Sequence, residues 1–345
     1  MLNCLVLGKG ENQMQFGIFG SAQAKRGGPS DDSAVGFREF VDRNVEAERL
    51  GYKSSFVVEH HFTGFGQISA TLNLLSWIGS RTTTLRLGTA VLVLPWHNPV
   101  LLAEQIATLD LLSGGRVDVG VGKGYRLNEF DGFAMPIEES DERFQECLDV
   151  MIKAWTSDQP WSHEGKYWKY DGVIVEPPSH QRPHPQLWMG AGSPRSVKQV
   201  ASLGYNMLLG QFDSVQQIAD AIGLYKSEVE AGGGTYDPKN VAVARSLYIL
   251  DDDSEYEKAI EARMAGRRRT QDLTRRPGFE DTREASLLGT MFGSSEYVKG
   301  CIQDLKDIGA EYVLLNTPNG LPSLQRFATD IMPMFSSDPQ VAPTS

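Results

Sequence analysis

Eight short, mostly apolar segments recur along this chain, and nearly all of them are separated by segments of helical periodicity. Strands that are buried on both faces read as unbroken apolar runs, which is the pattern of a parallel sheet covered by helices. Eight such units in one chain favour an α/β fold of the closed (β/α)8 TIM-barrel type over an open, doubly wound sheet. The predicted strands are Gln15–Phe19, Ser54–Val58, Leu85–Leu94, Val117–Val121, Leu187–Gly190, Asn206–Leu209, Val241–Leu250 and Tyr312–Leu315.

The intervening segments carry helix signals. Apolar residues across 144–155 recur at spacings of three and four, the period of one buried helix face. Ser214 and Gln217 form a capping box at the start of another predicted helix. No G-x-G-x-x-G motif follows the first strand, which counts against an open dinucleotide-binding sheet.

Charge and cysteine content narrow the classes of function. Lys and Arg number 33 against 44 Asp and Glu, a net charge of −11, which argues against a nucleic-acid-binding protein. Charged residues interrupt every stretch long enough to span a bilayer, so no membrane partner is expected. The three cysteines are widely spaced and form no CxxC pair, so the sequence indicates a reducing, cytoplasmic location rather than a disulfide scaffold.

The barrel is predicted to occupy residues 14–335, between an N-terminal leader (1–13) and a C-terminal tail (336–345). Two segments do not fit the repeat. Residues 123–140 lengthen the loop after the fourth strand, and residues 262–288 are Arg-rich and poor in large apolar groups. The second is predicted to be an inserted loop, either a mobile lid over the barrel or a solvated insertion.

Residues that follow barrel strands are the candidates for chemistry, because active sites of such barrels lie where the strands end. His60 follows the second strand, and a single imidazole there suits an acid, a base or a hydrogen-bond donor. A structural, hydrogen-bonding histidine is the alternative. The adjacent His61 does not make a metal site, since further ligands at other strand ends would be required, and no metal is predicted.

A second candidate is an anion site after the fifth strand. Ser193 precedes Pro194 in the pattern of a helix N-cap, and the first turn of a helix offers N–H groups and a positive dipole end. The hydroxyl of Ser196 and the Gly192 backbone would add to this site, and Lys123, which follows the fourth strand, would supply a cation. An ordinary capped helix is the alternative.

Taken together, several segments give the chain a wider resemblance. These are EHHFTGFG (59–66), the run from 85 to 125 that ends in GVGKGY, PQLWMGAGSPRS (185–196) and MFGSSEYVKGCIQDLKDIGAEYVLL (291–315). In this order and spacing the chain resembles the bacterial luciferase-like flavin-dependent monooxygenases. The resemblance implies a (β/α)8 barrel, usually a homodimer, that takes reduced FMN from a separate NAD(P)H:flavin reductase. Oxygenation of a small organic substrate by O₂, through a flavin hydroperoxide, is the implied reaction.

The resemblance also implies roles for individual residues. His60 matches the residue that the family uses beside the flavin as hydrogen-bond donor or acid/base. The Ala90–Val91 bond matches the position of a non-proline cis peptide under the flavin ring. Lys123 matches a phosphate-binding cation, and Gly192, Ser193 and Ser196 match the phosphate cradle.

Some positions depart from the family pattern. Asp141 stands where relatives commonly carry an arginine that contacts the phosphate, and Arg143 is a candidate replacement. Gln211 stands where luciferase chains place a tryptophan against the flavin, so light emission is not inferred.

Phe62, Phe65, Trp96 and Tyr125 are predicted to line the substrate pocket with Gln211, which favours an apolar substrate; packing is the alternative role for these rings. Two other functions remain open. One is hydride transfer with a deazaflavin on the same barrel, without O₂, and the other is a non-catalytic flavin-binding subunit.

Overall fold

A closed ring of parallel strands organises the computed structural model, which describes residues 13–24, 27, 32–64, 66–250, 252–274 and 280–336. The strands are β1 (Gln15–Gly20), β2 (Ser54–Val57), β3 (Arg86–Thr89), β4 (Leu92–Val93), β5 (Val117–Gly122), β6 (Trp161–Glu164), β7 (Lys169–Val173), β8 (Gln186–Ala191), β9 (Asn206–Leu209), β10 (Val241–Ile249), β11 (Thr290–Gly293) and β12 (Tyr312–Asn316). The helices are α1 (Val35–Arg49), α2 (Thr71–Gly79), α3 (Pro99–Ser113), α4 (Leu127–Gly132), α5 (Ser140–Thr156), α6 (Pro194–Ser202), α7 (Val215–Ala231), α8 (Asp253–Thr274), α9 (Arg283–Leu287), α10 (Ser295–Asp307) and α11 (Leu321–Asp330).

Eight of these strands form the barrel. Their order is β1, β2, β3, β5, β8, β9, β10 and β12, and pairing of β12 with both β10 and β1 closes the ring. Every pairing within the ring is parallel, so all eight strands end at one opening, termed here the barrel mouth. The predicted (β/α)8 barrel is therefore confirmed.

The core has two parts, as expected for a barrel wrapped in helices. The larger part lies between the ring and the surrounding helices. The smaller part fills the barrel interior, where Phe56, Trp188 and Tyr312 make edge-to-face ring contacts. Because side chains fill the interior, a ligand cannot enter it, and the active site of such a barrel is expected at the mouth.

The predicted strand Leu85–Leu94 is interrupted. β3 ends at Thr89, the Ala90–Val91 peptide is cis, and β4 resumes the pairing with β5. Across the interruption the Thr89 hydroxyl donates to the Gly120 carbonyl at 2.8 Å and accepts from the Gly120 N–H at 2.8 Å. This side-chain bridge, which is termed here the Thr89–Gly120 bridge, holds β3 against β5 directly beneath the mouth.

Two segments differ from the sequence prediction. Helix α8 occupies the first part of the 262–288 segment, where a loop was expected, because Ala, Arg, Met and Gln favour helix even when few apolar residues are present. The 123–140 segment contains the short helix α4 and a 3₁₀ turn at Ile137–Glu139. Strand β11, which pairs with the upper part of β10, was not predicted.

Two local predictions are confirmed. The apolar face predicted across 144–155 lies on helix α5, and the capping box of Ser214 and Gln217 starts helix α7. Strands β6 and β7 form a separate antiparallel hairpin. The leader falls almost entirely outside the described residues, as does all but the first residue of the tail. None of the helices that the structure describes has the length and apolar character needed to cross a membrane.

Candidate active site

The predicted site residues follow four strands that are consecutive in the ring. His60 follows β2, Ala90 and Val91 follow β3, Lys123 follows β5, and the Gly192–Ser196 turn follows β8. The β5–β8 register pairs Val121 with Met189, and its continuation sets Lys123 beside the turn that starts helix α6. The fold thus gathers these residues along one side of the mouth.

His60 is held by a buried carboxylate. Its Nδ1 lies 3.1 Å from Oε1 of Glu129, whose side chain is only 2% exposed, and the same oxygen accepts the His61 N–H at 3.0 Å. A carboxylate can only accept, so Nδ1 carries the hydrogen and Nε2 is left as an acceptor in the neutral ring. Burial lowers the pKa of His60, repulsion from Arg126 lowers it further, and Glu129 offsets part of the shift.

A second buried carboxylate organises the loops around His60. Glu59 Oε1 accepts hydrogen bonds from His61 Nε2 at 2.9 Å, His97 Nε2 at 2.8 Å and Trp96 Nε1 at 3.2 Å, and Oε2 accepts the Val93 N–H at 2.7 Å. Burial alone would raise the pKa of Glu59, but these donors outweigh burial and lower the pKa to about 2. Glu59 is therefore ionised at neutral pH and ties the ends of β2 and β4 together.

The floor of this part of the mouth is formed by Ala90 and Val91. Both pack on the barrel interior and remain partly exposed. A Cβ at Gly122 would lie 2.5 Å from Val91 Cγ2, so glycine is required for β5 to pass this close. The cis geometry predicted for the Ala90–Val91 peptide is present.

The turn before helix α6 has the predicted N-terminal geometry. Ser193 Oγ accepts the Ser196 N–H at 3.2 Å, and Ser196 Oγ accepts the N–H groups of Ser193 at 3.0 Å and Gly192 at 3.2 Å. A Cβ built at Gly190 or Gly192 would meet no atom within 4 Å, so open space lies beside both glycines. Hydroxyls, a helix N-terminus and room for a ligand therefore occur together, which fits a phosphate group.

The cations near this turn have acidic partners. Lys123 Nζ lies 2.7 Å from Asp141 Oδ1, and both side chains are more than half exposed. Arg143 is bound to Glu139 at 2.8 Å and stacks over the ring of Tyr167. Arg143 is thus engaged elsewhere, and Asp141 partly neutralises the predicted phosphate-binding lysine.

The predicted pocket residues divide into two groups. Phe62 is 61% exposed and contacts the ring of Phe133, which in turn stacks on Trp96. We term Phe62, Trp96 and Phe133 the aromatic cluster. Tyr125 is 41% exposed and lies near Arg126, whereas Phe65 is outside the described residues.

Gln211 lies at the far side of the mouth and is part of a polar network. Its Oε1 accepts from Ser246 Oγ at 2.9 Å and from Asn316 Nδ2 at 3.3 Å. Arg263 of helix α8 donates to the Gln211 carbonyl at 3.1 Å and to Ser246 Oγ at 2.7 Å. Gln211 thereby joins the ends of β9, β10 and β12 to helix α8.

Four charged residues of the site were not predicted: the buried Glu59, Arg126 and Glu129, and the half-buried Arg263. Glu129 and Arg126 lie in the 123–140 segment, which had been interpreted as a loop extension. A signal was present in RLNEF (126–130), where charged residues flank apolar ones next to a strand end. Among the described residues, no group of three or more His, Cys, Asp or Glu side chains is arranged to hold a metal ion.

Comparison with known proteins agrees with this architecture. A family model described as luciferase-like monooxygenase matches residues 14–294. Because this model covers most of the chain, the chain belongs to the luciferase-like monooxygenase family.

Relatives within this family use different cofactors. An FMNH₂-dependent dimethylsulfone monooxygenase of Pseudomonas putida is 25% identical over 280 residues, which are 79% of this chain and 74% of the relative. An F420-dependent glucose-6-phosphate dehydrogenase of Amycolatopsis mediterranei is 30% identical over 236 residues, 66% of this chain and 68% of the relative. Across the curated relatives, the matched region spans from about half to about three quarters of the relative's own length.

The fold also matches solved structures. Monooxygenase RslO1 from Streptomyces bottropensis superimposes with a TM-score of 0.81 over 94% of this chain and 100% of that chain, at 24% identity. At this identity the likeness establishes the fold alone.

Proposed function

We propose that the chain is the oxygenase component of a two-component, FMN-dependent monooxygenase. Reduced FMN from a separate NAD(P)H:flavin reductase would bind at the mouth and supply the two electrons with which O₂ oxygenates a small organic substrate. The observation that carries the proposal is the alignment of an anion-binding turn, a lysine, a floor and a histidine along four neighbouring strand ends. A homodimer in the cytoplasm is part of the proposal.

The phosphate of FMN would bind at the start of helix α6. Ser193 and Ser196 hydroxyls, the Gly192 backbone and Lys123 would hold it, because a helix N-terminus favours an anion and an ammonium adds charge. The open space beside Gly190 and Gly192 provides the necessary approach. Ala90 and Val91 would support the flavin ring.

His60 would act on a proton at Nε2. The Glu129 carboxylate fixes the ring and its tautomer, so Nε2 faces the reaction as an acceptor near neutral pH. The lowered pKa of His60 keeps the neutral form dominant, and an accepted proton can then be returned. Helix α8 and the aromatic cluster would exclude water from the mouth.

A deazaflavin is the second candidate cofactor, since several relatives are named as F420-dependent dehydrogenases. Both cofactors carry a phosphate, so the cradle at helix α6 suits either one. The two functions differ in whether O₂ is consumed.

The deciding experiment is an anaerobic titration with reduced FMN, reduced riboflavin and reduced F420, followed by admission of air. Tighter binding of reduced FMN than of the others, with O₂ uptake afterwards, supports the proposal. Preference for F420 without O₂ uptake overturns it in favour of hydride transfer, and binding of none of the three excludes both functions.

A double variant tests where the phosphate binds. Lys123→Ala with Ser193→Ala should weaken FMN far more than riboflavin, which lacks the phosphate. Ser214→Ala is the matched control, because it removes the corresponding cap from helix α7 at a similar cost of about 1 kcal/mol. An equal loss of affinity for FMN and for riboflavin would show that the phosphate binds elsewhere.

A further inference from the structure

Helix α8 crosses the barrel mouth from one side to the other. Arg263 near its middle is bound to Gln211, which follows β9, and Arg269 donates to the Thr63 carbonyl at 3.2 Å in the loop after β2. In the ring order, β2 and β9 are four strands apart in either direction, so they stand opposite each other. Helix α8 also packs against α4. Helix α8 therefore covers part of the mouth between these two sides.

Arg126 lies at the start of helix α4, which packs against α8, and its guanidinium lacks adequate hydrogen-bond partners. The Arg126 side chain is only 5% exposed, and its Nε and one terminal nitrogen are buried without a hydrogen-bond partner among the described residues. The closest carboxylate oxygen, on Glu129, is 3.9 Å away and already accepts from His60 and His61. A buried cation that lacks acceptors is costly, so Arg126 is available to an anion that the described part of the chain does not supply.

The surroundings of Arg126 define the rest of this ligand. Arg126 directly precedes helix α4, and Gly132 at the other end of α4 touches Phe62 of the aromatic cluster. An apolar surface therefore begins one short helix away from the guanidinium. Glu129 links Arg126 to His60, so an anion at Arg126 would lie beside the predicted acid/base.

We propose that Arg126 binds the carboxylate of a small organic acid, whose apolar or aromatic body lies against the aromatic cluster. The planar fork of a guanidinium matches a carboxylate in a two-point contact, which makes arginine suited to this recognition. The inference rests on the proposed function, because it gives the substrate class of the same site. It replaces the expectation of a purely apolar substrate with an apolar acid.

The test uses pairs of ligands that differ in charge but not in shape. Benzoate with benzamide, and 2-naphthoate with 2-naphthamide, are titrated calorimetrically into the full-length protein with and without reduced FMN under anaerobic conditions. Benzenesulfonate is added to separate a carboxylate from another oxyanion. We expect the carboxylates to bind more tightly than their amides and than the sulfonate. No preference of the wild type for either carboxylate over its amide would overturn the proposal.

Arg126→Met should reduce the affinity for the carboxylates about 10- to 100-fold, and leave the amides unchanged. Arg126→Lys keeps the positive charge but loses the planar fork of the guanidinium. Its affinity for the carboxylates should therefore lie between those of the wild type and Arg126→Met. Arg81→Met is the matched control, since Arg81 is exposed, paired with Asp42 and removed from the mouth. Unchanged carboxylate binding in both Arg126 variants would overturn the proposal.

Binding of reduced FMN to the same variants separates this inference from the proposed function. If Arg126→Met weakens reduced FMN and riboflavin instead of the carboxylates, Arg126 serves the cofactor and the inference fails while the function stands. If reduced FMN fails to bind the wild type while carboxylates still require Arg126, the proposed function fails and the anion site stands.

Discussion

Oε1 of Glu129 lies 3.1 Å from Nδ1 of His60, and this contact makes Glu129 a positioning residue for the imidazole. Burial and Arg126 lower the pKa of His60, whereas Glu129 raises it. The folded state therefore disfavours protonated His60, so the contribution of this residue to stability is present above pH 6.5 and is lost as the pH falls from 6.5 through the lower pKa of the folded state.

We expect Glu129→Gln to lower the pKa of His60 further, because the amide keeps an acceptor oxygen but removes the negative charge. Arg126→Met should act in the opposite direction, because it removes a repulsive cation. Histidine titration by NMR measures both shifts. Shifts of the same sign in the two variants would contradict the assigned electrostatics.

Removal of the His60 imidazole should lower turnover by about 10²- to 10⁴-fold, the range for a positioned acid or base. His60→Gln is the variant, and single-turnover product formation with reduced FMN is the measurement. His184→Gln is the control, since His184 packs against Trp155 away from the mouth. Equal turnover in wild type and His60→Gln would remove His60 from the mechanism.

Glu59 should contribute strongly to stability at neutral pH. Its pKa is about 2 in the folded chain against an ordinary 4.5, so the stabilisation is present above pH 4.5 and is lost as pH falls towards 2. This shift corresponds to a contribution on the order of 3 kcal/mol. Urea unfolding of Glu59→Gln at pH 7 and pH 3 should show a deficit that shrinks at the lower pH. Glu46→Gln, a change at the surface pair with Arg49, should stay within about 0.5 kcal/mol.

Asp141 should limit the affinity for a phosphate-bearing cofactor. Asp141→Asn releases Lys123 and removes a negative charge, so FMN should bind about 2- to 5-fold more tightly, with a smaller effect in high salt. Riboflavin should not change. Glu142→Gln removes the adjacent charge, which pairs with Lys166 instead, and should leave FMN affinity unaltered. An equal gain in both variants would indicate a general charge effect.

Gly120 should tolerate no side chain, because a Cβ there would lie 1.8 Å from the Thr89 carbonyl oxygen. Gly120→Ala should therefore cost about 3 kcal/mol of unfolding free energy, by displacement of the Thr89–Gly120 bridge. Gly300→Ala, within helix α10 and with open space around it, should instead stabilise by about 0.5–1 kcal/mol. Denaturant unfolding of the two variants gives the comparison, and a mild effect at Gly120 would contradict the tight packing.

Arg263 should anchor helix α8. Arg263→Ala removes the bonds to Gln211 and Ser246, so amide hydrogen exchange in α8 should quicken. Arg268→Ala removes the same charge from the exposed pair with Asp281 and should leave exchange near the wild-type rate. Equal protection of α8 in both variants would show that other contacts hold the helix.

The barrel could be predicted because each of its strands is recognisable from its own apolar sequence pattern. Val117–Val121 and Asn206–Leu209 are mostly apolar, with one buried polar residue each, and burial on both faces in the structure is the cause of that pattern. Strand β11 was missed because its sequence, TMFG, is short and directly precedes a helix cap. Helix α8 was missed because its apolar contacts, such as that of Ile260, are confined to its first half. The polar contacts of Arg263 do not register in a hydrophobic periodicity.

The site was only partly accessible from sequence. His60, Lys123 and Ser193 follow strands and therefore could be placed at the mouth by the barrel rule alone. The partners that fix their state, Glu129 and Asp141, lie in a short helix and a helix start well beyond those strands, and only folding brings them near. The RLNEF pattern marks charged residues near a strand end, but it does not encode which residue each of them contacts.

Helix α8 belongs to an excursion that leaves β10 at Leu250 and returns at Gly289. The Leu250 N–H donates to the Gly293 carbonyl of β11 at 2.9 Å, and the Ser246 N–H of β10 donates to the Gly289 carbonyl at 3.1 Å, so the two ends are held together by the β10–β11 pair. Residues 250–289 are therefore an insertion whose two ends lie close together. Replacement of this insertion by that of another family member would change the cover of the mouth, while the closed ring and the turn before α6 keep their own sequence.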